Sequence, residues 1–190
     1  MGVQGWVSLL NWPGTHSLAS GSASTSTASP GTVISPAPDY TQPANTVQPG
    51  SMIRLTAWGQ AHTGTTTANA TFAVYWGGTG GTQLLLSAAT QIGAVTTSQT
   101  VPWQLWASLQ FRTIGTSGTV FAYSKLEMSS AAAPSATAST VSNLAPLSAP
   151  ATVTVDTTVA KTLVLSAWVS TATGSPSVTC DIFHLEGLSL

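Results

Sequence analysis

From residue 51 onward, apolar and polar residues alternate with period two, which is the signature of strands with one buried face. The clearest run is Trp103 to Arg112. Trp103, Leu105, Ala107, Leu109 and Phe111 point one way, while Gln104, Trp106, Ser108, Gln110 and Arg112 point the other. Ile53, Leu55, Ala57 and Gly59 alternate in the same manner with Arg54, Thr56, Trp58 and Gln60. Phe72, Val74 and Trp76 alternate with Ala73 and Tyr75, and Leu163, Leu165, Ala167 and Val169 with Val164, Ser166, Trp168 and Ser170. Further strands are expected at Gln83–Ser87, Thr119–Met128, Thr152–Val155 and Val178–Leu188.

Turn signals separate these runs: Gly77-Gly78-Thr79-Gly80-Gly81, Gly115-Thr116-Ser117-Gly118 and Thr173-Gly174-Ser175-Pro176. The Ala-, Ser- and Pro-rich stretch at 130–150 is too long for a tight hairpin and suits a crossover between sheets. No amphipathic helical period stands out. Short strands, Gly-rich turns and one long crossover describe an all-β protein, a jelly-roll-like antiparallel β-sandwich over residues 51–190.

Residues 1–50 read differently, as an extended N-terminal arm and linker. Pro30, Pro36, Pro38, Pro43 and Pro49 disfavour helix, and the run from Gly21 to Ser29 is low in complexity. Apolar anchors flank that run, with Trp6, Leu9, Leu10 and Trp12 before it and Val33, Ile34 and Tyr40 after it. An arm of this composition needs something to hold it, either a neighbouring subunit or its own domain.

Charge changes the picture most. Of 190 residues only four are Lys or Arg and five are Asp or Glu, for a net charge of −1. Roughly a quarter of an ordinary soluble domain is charged, and chains near zero net charge tend to associate. This surface is therefore expected to suit an assembly. It has no basic patch for nucleic acid and no apolar run of membrane-spanning length, so neither is an expected partner. The start of the chain carries no secretory signal pattern, which points to synthesis in the cytoplasm without an export signal of its own.

Residues for catalysis are scarce. The nucleophile-elbow, zinc-helix, phosphate-loop and dinucleotide patterns are all missing. His16, His62 and His184 are far apart in sequence, and a metal site would need His62, His184 and Asp181 to meet in space. Asp181 and Glu186, as a glycosidase-type pair, are five apart and point to opposite faces of an unbroken strand. Asp156 opens Asp156-Thr157-Thr158, where its side chain is expected to bond its own backbone. Asn69-Ala70-Thr71 matches the glycosylation pattern but lacks a secretory context, and Cys180 is expected to be a small core residue. No catalytic role, metal or cofactor is expected.

Large aromatics on polar faces carry more information. Trp58, Trp106 and Trp168 lie opposite the apolar sides of their strands, near Arg54 and Arg112. Together these five suggest a second covered surface, either an oligomer interface, in which aromatics and Arg are enriched, or a platform on which sugar rings stack.

The order of short motifs resembles a known family. It runs from Met52-Ile53-Arg54-Leu55-Thr56-Ala57-Trp58-Gly59 to Phe72-Ala73-Val74-Tyr75-Trp76-Gly77-Gly78-Thr79. Trp103-Gln104-Leu105 follows, leading into Phe111-Arg112-Thr113-Ile114-Gly115-Thr116-Ser117-Gly118-Thr119. Val153-Thr154-Val155-Asp156-Thr157-Thr158, Leu163-Val164-Leu165-Ser166-Ala167-Trp168 and Glu186-Gly187-Leu188 complete it. Over roughly residues 30 to 190 this resembles the jelly-roll structural proteins encoded among the virion genes of tailed bacteriophages. The resemblance implies a non-enzymatic virion component made in the host cytoplasm. One form is a homotrimeric capsid decoration (cement) protein that binds the major capsid protein at the shell surface. In that form the arm, through Trp6, Leu9, Leu10 and Trp12, would lie along the capsid or a neighbouring subunit. The alternative is a tail, baseplate or head-fibre protein that binds host-surface carbohydrate.

Overall fold

The computed structural model describes residues 7–8, 24–25, 27–35, 40–65, 68–87, 89–92, 100–129, 139–142, 144–145 and 152–188. No helix occurs among them. The strands are β1 (Val7–Ser8), β2 (Thr32–Val33), β3 (Tyr40–Gln42), β4 (Met52–His62), β5 (Asn69–Trp76), β6 (Thr82–Ser87) and β7 (Thr90–Gln91). They continue with β8 (Thr100–Thr113), β9 (Gly118–Ser129), β10 (Ser139–Ser142), β11 (Leu144–Ala145), β12 (Thr152–Val155), β13 (Lys161–Val169) and β14 (Ser177–Leu188).

Two antiparallel sheets form from these strands. The first runs β1-β14-β4-β8-β9-β10, with β12 on β9 beside β10. The second runs β11-β6-β5-β13-β2, with β3 also on β13 and β7 on β5. Pairing is nested: β4 with β14, β5 with β13, β6 with β11, and β8 with β9. The chain is thus a ribbon folded back on itself at the β8–β9 turn, and the β4–β8 and β5–β6 pairings widen the ribbon into two sheets. The expected antiparallel β-sandwich is present. β10 (Ser139–Ser142) pairs with β9 in one sheet and β11 (Leu144–Ala145) with β6 in the other.

The alternation seen in the sequence sets the core. Ile53, Leu55, Ala57, Trp103, Leu105, Leu109 and Phe111 from one sheet meet Phe72, Val74, Trp76, Leu163, Leu165 and Val169 from the other. Two indoles anchor this layer and find partners for their N–H groups, as buried Trp requires. Trp103 Nε1 donates to the Thr179 carbonyl at 3.0 Å, and Trp76 Nε1 donates to the Asp156 carbonyl at 3.0 Å. Phe72 packs on Trp103 with ring centroids 4.9 Å apart, and Phe111 meets Trp76 edge-on at 5.5 Å.

The boundary expected at residue 50 moves toward the N-terminus. β2 and β3 pair with β13, and Ile34 and Val47 enter the main core, so much of this stretch belongs to the sandwich. Of the two ways of holding the arm, its described part uses its own domain. Ser24, fully buried, ties the two sheets together. It exchanges backbone hydrogen bonds with Val178 of β14 at 2.8 and 3.1 Å, and its Oγ donates to the Ala167 carbonyl of β13 at 2.6 Å. Ser166 Oγ donates to the Pro30 carbonyl at 2.8 Å. Gly31, at φ +78°, lies so close that a Cβ there would stand 2.2 Å from the Ala167 carbonyl oxygen.

Candidate functional site

The outer faces of the two sheets differ sharply. On the β5–β13 sheet, Ala73, Tyr75 and Val164 are buried in a small second cluster with Val33, Leu86 and Trp168. Trp168 packs there beside Gly31, whose missing Cβ would stand 3.1 Å from the Trp168 ring. This face is covered within the chain itself.

The outer face of β14-β4-β8-β9 is open, and strand register lays out its side chains in rows. Opposite one another stand Glu186, Arg54, Ser108 and Tyr123; then His184, Thr56, Trp106 and Lys125; then Ile182, Trp58, Gln104 and Glu127. A further row holds Leu188, Met52, Gln110 and Phe121. Trp58, Trp106 and Tyr123 therefore follow a diagonal across three strands, each step ~7–8 Å between diagonal neighbours. Tyr123 is 61% exposed and Ile182 48%, whereas Trp58 and Trp106 are half-buried between their neighbours.

Five of the nine charged side chains gather on this face: Arg54, Arg112, Lys125, Glu127 and Glu186. Each meets a partner here. Arg54 Nη1 donates to Glu186 Oε2 at 3.4 Å, and Lys125 Nζ lies 2.5 Å from Glu127 Oε1. The Arg112 guanidinium stands 4.8 Å over the Phe121 ring, and the Lys125 ammonium 5.8 Å over Trp106. Exposed pairs of this kind stabilise a fold by ~1 kcal/mol at most. Their more important effect is to leave the face with no isolated charge.

The five side chains singled out in the sequence thus divide. Arg54, Trp58, Trp106 and Arg112 share one face, while Trp168 lies on the other sheet beneath the chain's own N-terminal segment. The anchors Trp6, Leu9, Leu10 and Trp12 lie outside the described residues, as does His16. Sequence reasoning missed Phe121, Tyr123 and Lys125, although they alternate with Val120, Ala122 and Ser124 on β9 and the same period-two rule reveals them. Ile182 was hidden for a different reason. A bulge between Cys180 and Ile182 shifts the register of β14 and reverses the parity of every residue after it.

That bulge also removes the premise of an unbroken strand for Asp181 and Glu186. Glu186 instead pairs with Arg54. His62 and His184 stand opposite Ser177 and Thr56, six residues apart along β4, so ~20 Å separates them and they cannot share an ion. Among the described residues no three His, Cys, Asp or Glu side chains gather as metal ligands. Asp156 accepts from the Thr158 N–H at 2.9 Å and the Thr158 hydroxyl at 2.6 Å, the local turn expected of it, and these donors hold its carboxyl below the usual carboxylate range. Cys180 is buried in β14, and desolvation, with Asp181 beside it, pushes its thiol up to about 12. It is a core residue and a poor nucleophile.

No helix among the described residues is long and apolar enough to cross a membrane. No protein-family model matches the chain, and no curated protein or solved structure matches it.

Proposed function

We propose that this chain is a structural protein of a tailed-bacteriophage virion, and specifically a decoration protein that stabilises the capsid shell. One observation carries the reading. The surface is almost free of charge, and the few charges it has are concentrated with aromatic and aliphatic side chains on one open sheet face. A freely diffusing protein gains nothing from such a face, whereas a subunit held at high local concentration gains contact area from it. The antiparallel sandwich supports the same reading, because its strands are tied edge to edge by hydrogen-bonded ladders. In this proposal Trp6, Leu9, Leu10 and Trp12, which lie outside the described residues, are the contacts of the N-terminal arm to the shell.

The test is copy number per particle, by quantitative mass spectrometry of purified virions of the phage that encodes the chain. Hundreds of copies in a simple ratio to the major capsid protein are expected. A handful in multiples of three or six would move the protein to the tail or a head vertex, where the carbohydrate-binding alternative belongs. Absence from the particle would overturn the virion reading.

A further inference from the structure

We infer that the outer face of β14-β4-β8-β9 is a homotypic interface, covered in solution by a second copy of this chain. The inference stands apart from the virion reading, because it concerns the purified protein alone.

Size is the first argument. Four strands ~4.8 Å apart and about eleven residues long at ~3.3 Å per residue give a flat projection of about 700 Å². A stable interface of standard size takes ~800 Å² of accessible surface from each partner. Accessible area exceeds flat projection, so this face is large enough by itself. Composition is the second. Trp58, Trp106, Tyr123, Phe121, Met52 and Arg54 belong to the residue types enriched in interface cores.

Charge decides which partner fits. The face holds three bases and two acids, so it has little net field to attract a nucleic acid or a strongly acidic or basic surface. A second copy presents the same mixture, and both signs find opposites on it. Desolvation is modest as well. Arg54 with Glu186, and Lys125 with Glu127, are paired within one chain, so docking buries two neutral pairs, and Arg112, the remaining base, keeps the Phe121 ring as its neighbour. A stacked sugar fits less well. The Lys125 ammonium stands over the Trp106 ring that a pyranose would use, and Ile182, opposite Trp58, offers no hydrogen bond to a hydroxyl.

The other exposed large apolar side chains among the described residues, Ile114 and Val159, flank the linked loops at 114–117 and 156–160. Val159, on the connection that leads from β12 to β13 of the second sheet, stands outside the four rows of this face and supplies an internal control.

The experiment is native mass spectrometry and light scattering on the full chain, compared with Tyr123→Arg, the Tyr123→Arg/Ile182→Arg double variant and Val159→Arg. Both face positions are about half exposed or more, so these variants are expected to keep the wild-type circular dichroism. The wild type and Val159→Arg should be oligomers at micromolar concentration. The double variant should be a monomer, its association weakened at least ~30-fold, and Tyr123→Arg alone should weaken it ~10-fold. If the double variant misfolds, the single variant decides. A monomeric wild type, or face variants that associate like the wild type, would overturn the inference. A monomer that binds oligosaccharide through Trp58 and Trp106 would overturn it in favour of a glycan platform. None of these outcomes depends on copy number in a virion.

Discussion

Gly59 occupies the one inward-facing position of β4 at which any side chain collides with two neighbours at once. A Cβ there would lie 2.0 Å from the Thr179 carbonyl oxygen and 2.6 Å from the Trp103 ring. The ring lies across the strand because its N–H reaches over to that same carbonyl on β14. A glycine on β4, an indole on β8 and a carbonyl on β14 thus form one device joining three strands. Gly59→Ala should cost about 3 kcal/mol, the upper end for overpacking a core. Urea unfolding monitored by tryptophan fluorescence would read it as a lowered midpoint, and a midpoint equal to the wild type's would show that the indole can shift without penalty. From the sequence alone Gly59 was legible as the inward member of an alternating strand. Its need for zero volume was not, because that depends on a ring 44 residues away in the chain.

At the scale of elements, the loop between β12 and β13 holds one end of the sandwich together. Thr157, almost fully buried, accepts at Oγ1 from the Gly115 N–H at 2.8 Å, donates its own N–H to the Gly115 carbonyl at 3.0 Å, and receives the Asn45 N–H on its carbonyl at 2.9 Å. Asp156 shapes this loop by accepting both donors of Thr158. Those donors favour the carboxylate, so the folded pKa lies below the unfolded one. The stability that Asp156 contributes is therefore complete above the ordinary carboxylate pKa of ~4, and is lost as pH falls below it toward the folded value. Asp156→Asn keeps an acceptor oxygen but does not titrate. The stability gap between wild type and variant should hold steady from about pH 6 to pH 8 and shift against the wild type below about pH 4, as read from urea midpoints across that range. A gap that stays constant down to pH 2.5 would remove the turn from the acid response. Elements of this kind mark what the sequence can reveal. The long strands and the Asp156 turn follow from local period and composition. The placement of β2 and β3 does not, since a Pro-rich segment carries no period and its pairing on β13 is settled by the unpaired edge it finds there. Nor does the bulge in β14, which adds one residue without any local signal and turns Ile182 and His184 outward.

For the whole molecule, the unequal treatment of the two outer faces sets the behaviour in solution. One is closed by the chain's own segment around Gly31 and Val33, and the other leaves Tyr123 and Ile182 to the solvent. If association proceeds through the open face, it draws on apolar area, because the ion pairs on that face are already made within each copy. Raising NaCl from ~0.05 M to ~0.5 M shortens the Debye length from roughly 14 Å to roughly 4 Å. The dissociation constant should nevertheless change by less than about threefold, because few charges have new partners to lose. Kosmotropic sulfate should tighten association, since it strengthens apolar burial. Melting temperature should rise with protein concentration in the wild type, by mass action, and not in the Tyr123→Arg/Ile182→Arg variant. Sedimentation equilibrium over that salt range provides the reading. A tenfold or greater weakening with NaCl would mean that Arg54, Lys125 and their acids bridge between copies, and that the pairs seen within one chain exchange partners on assembly.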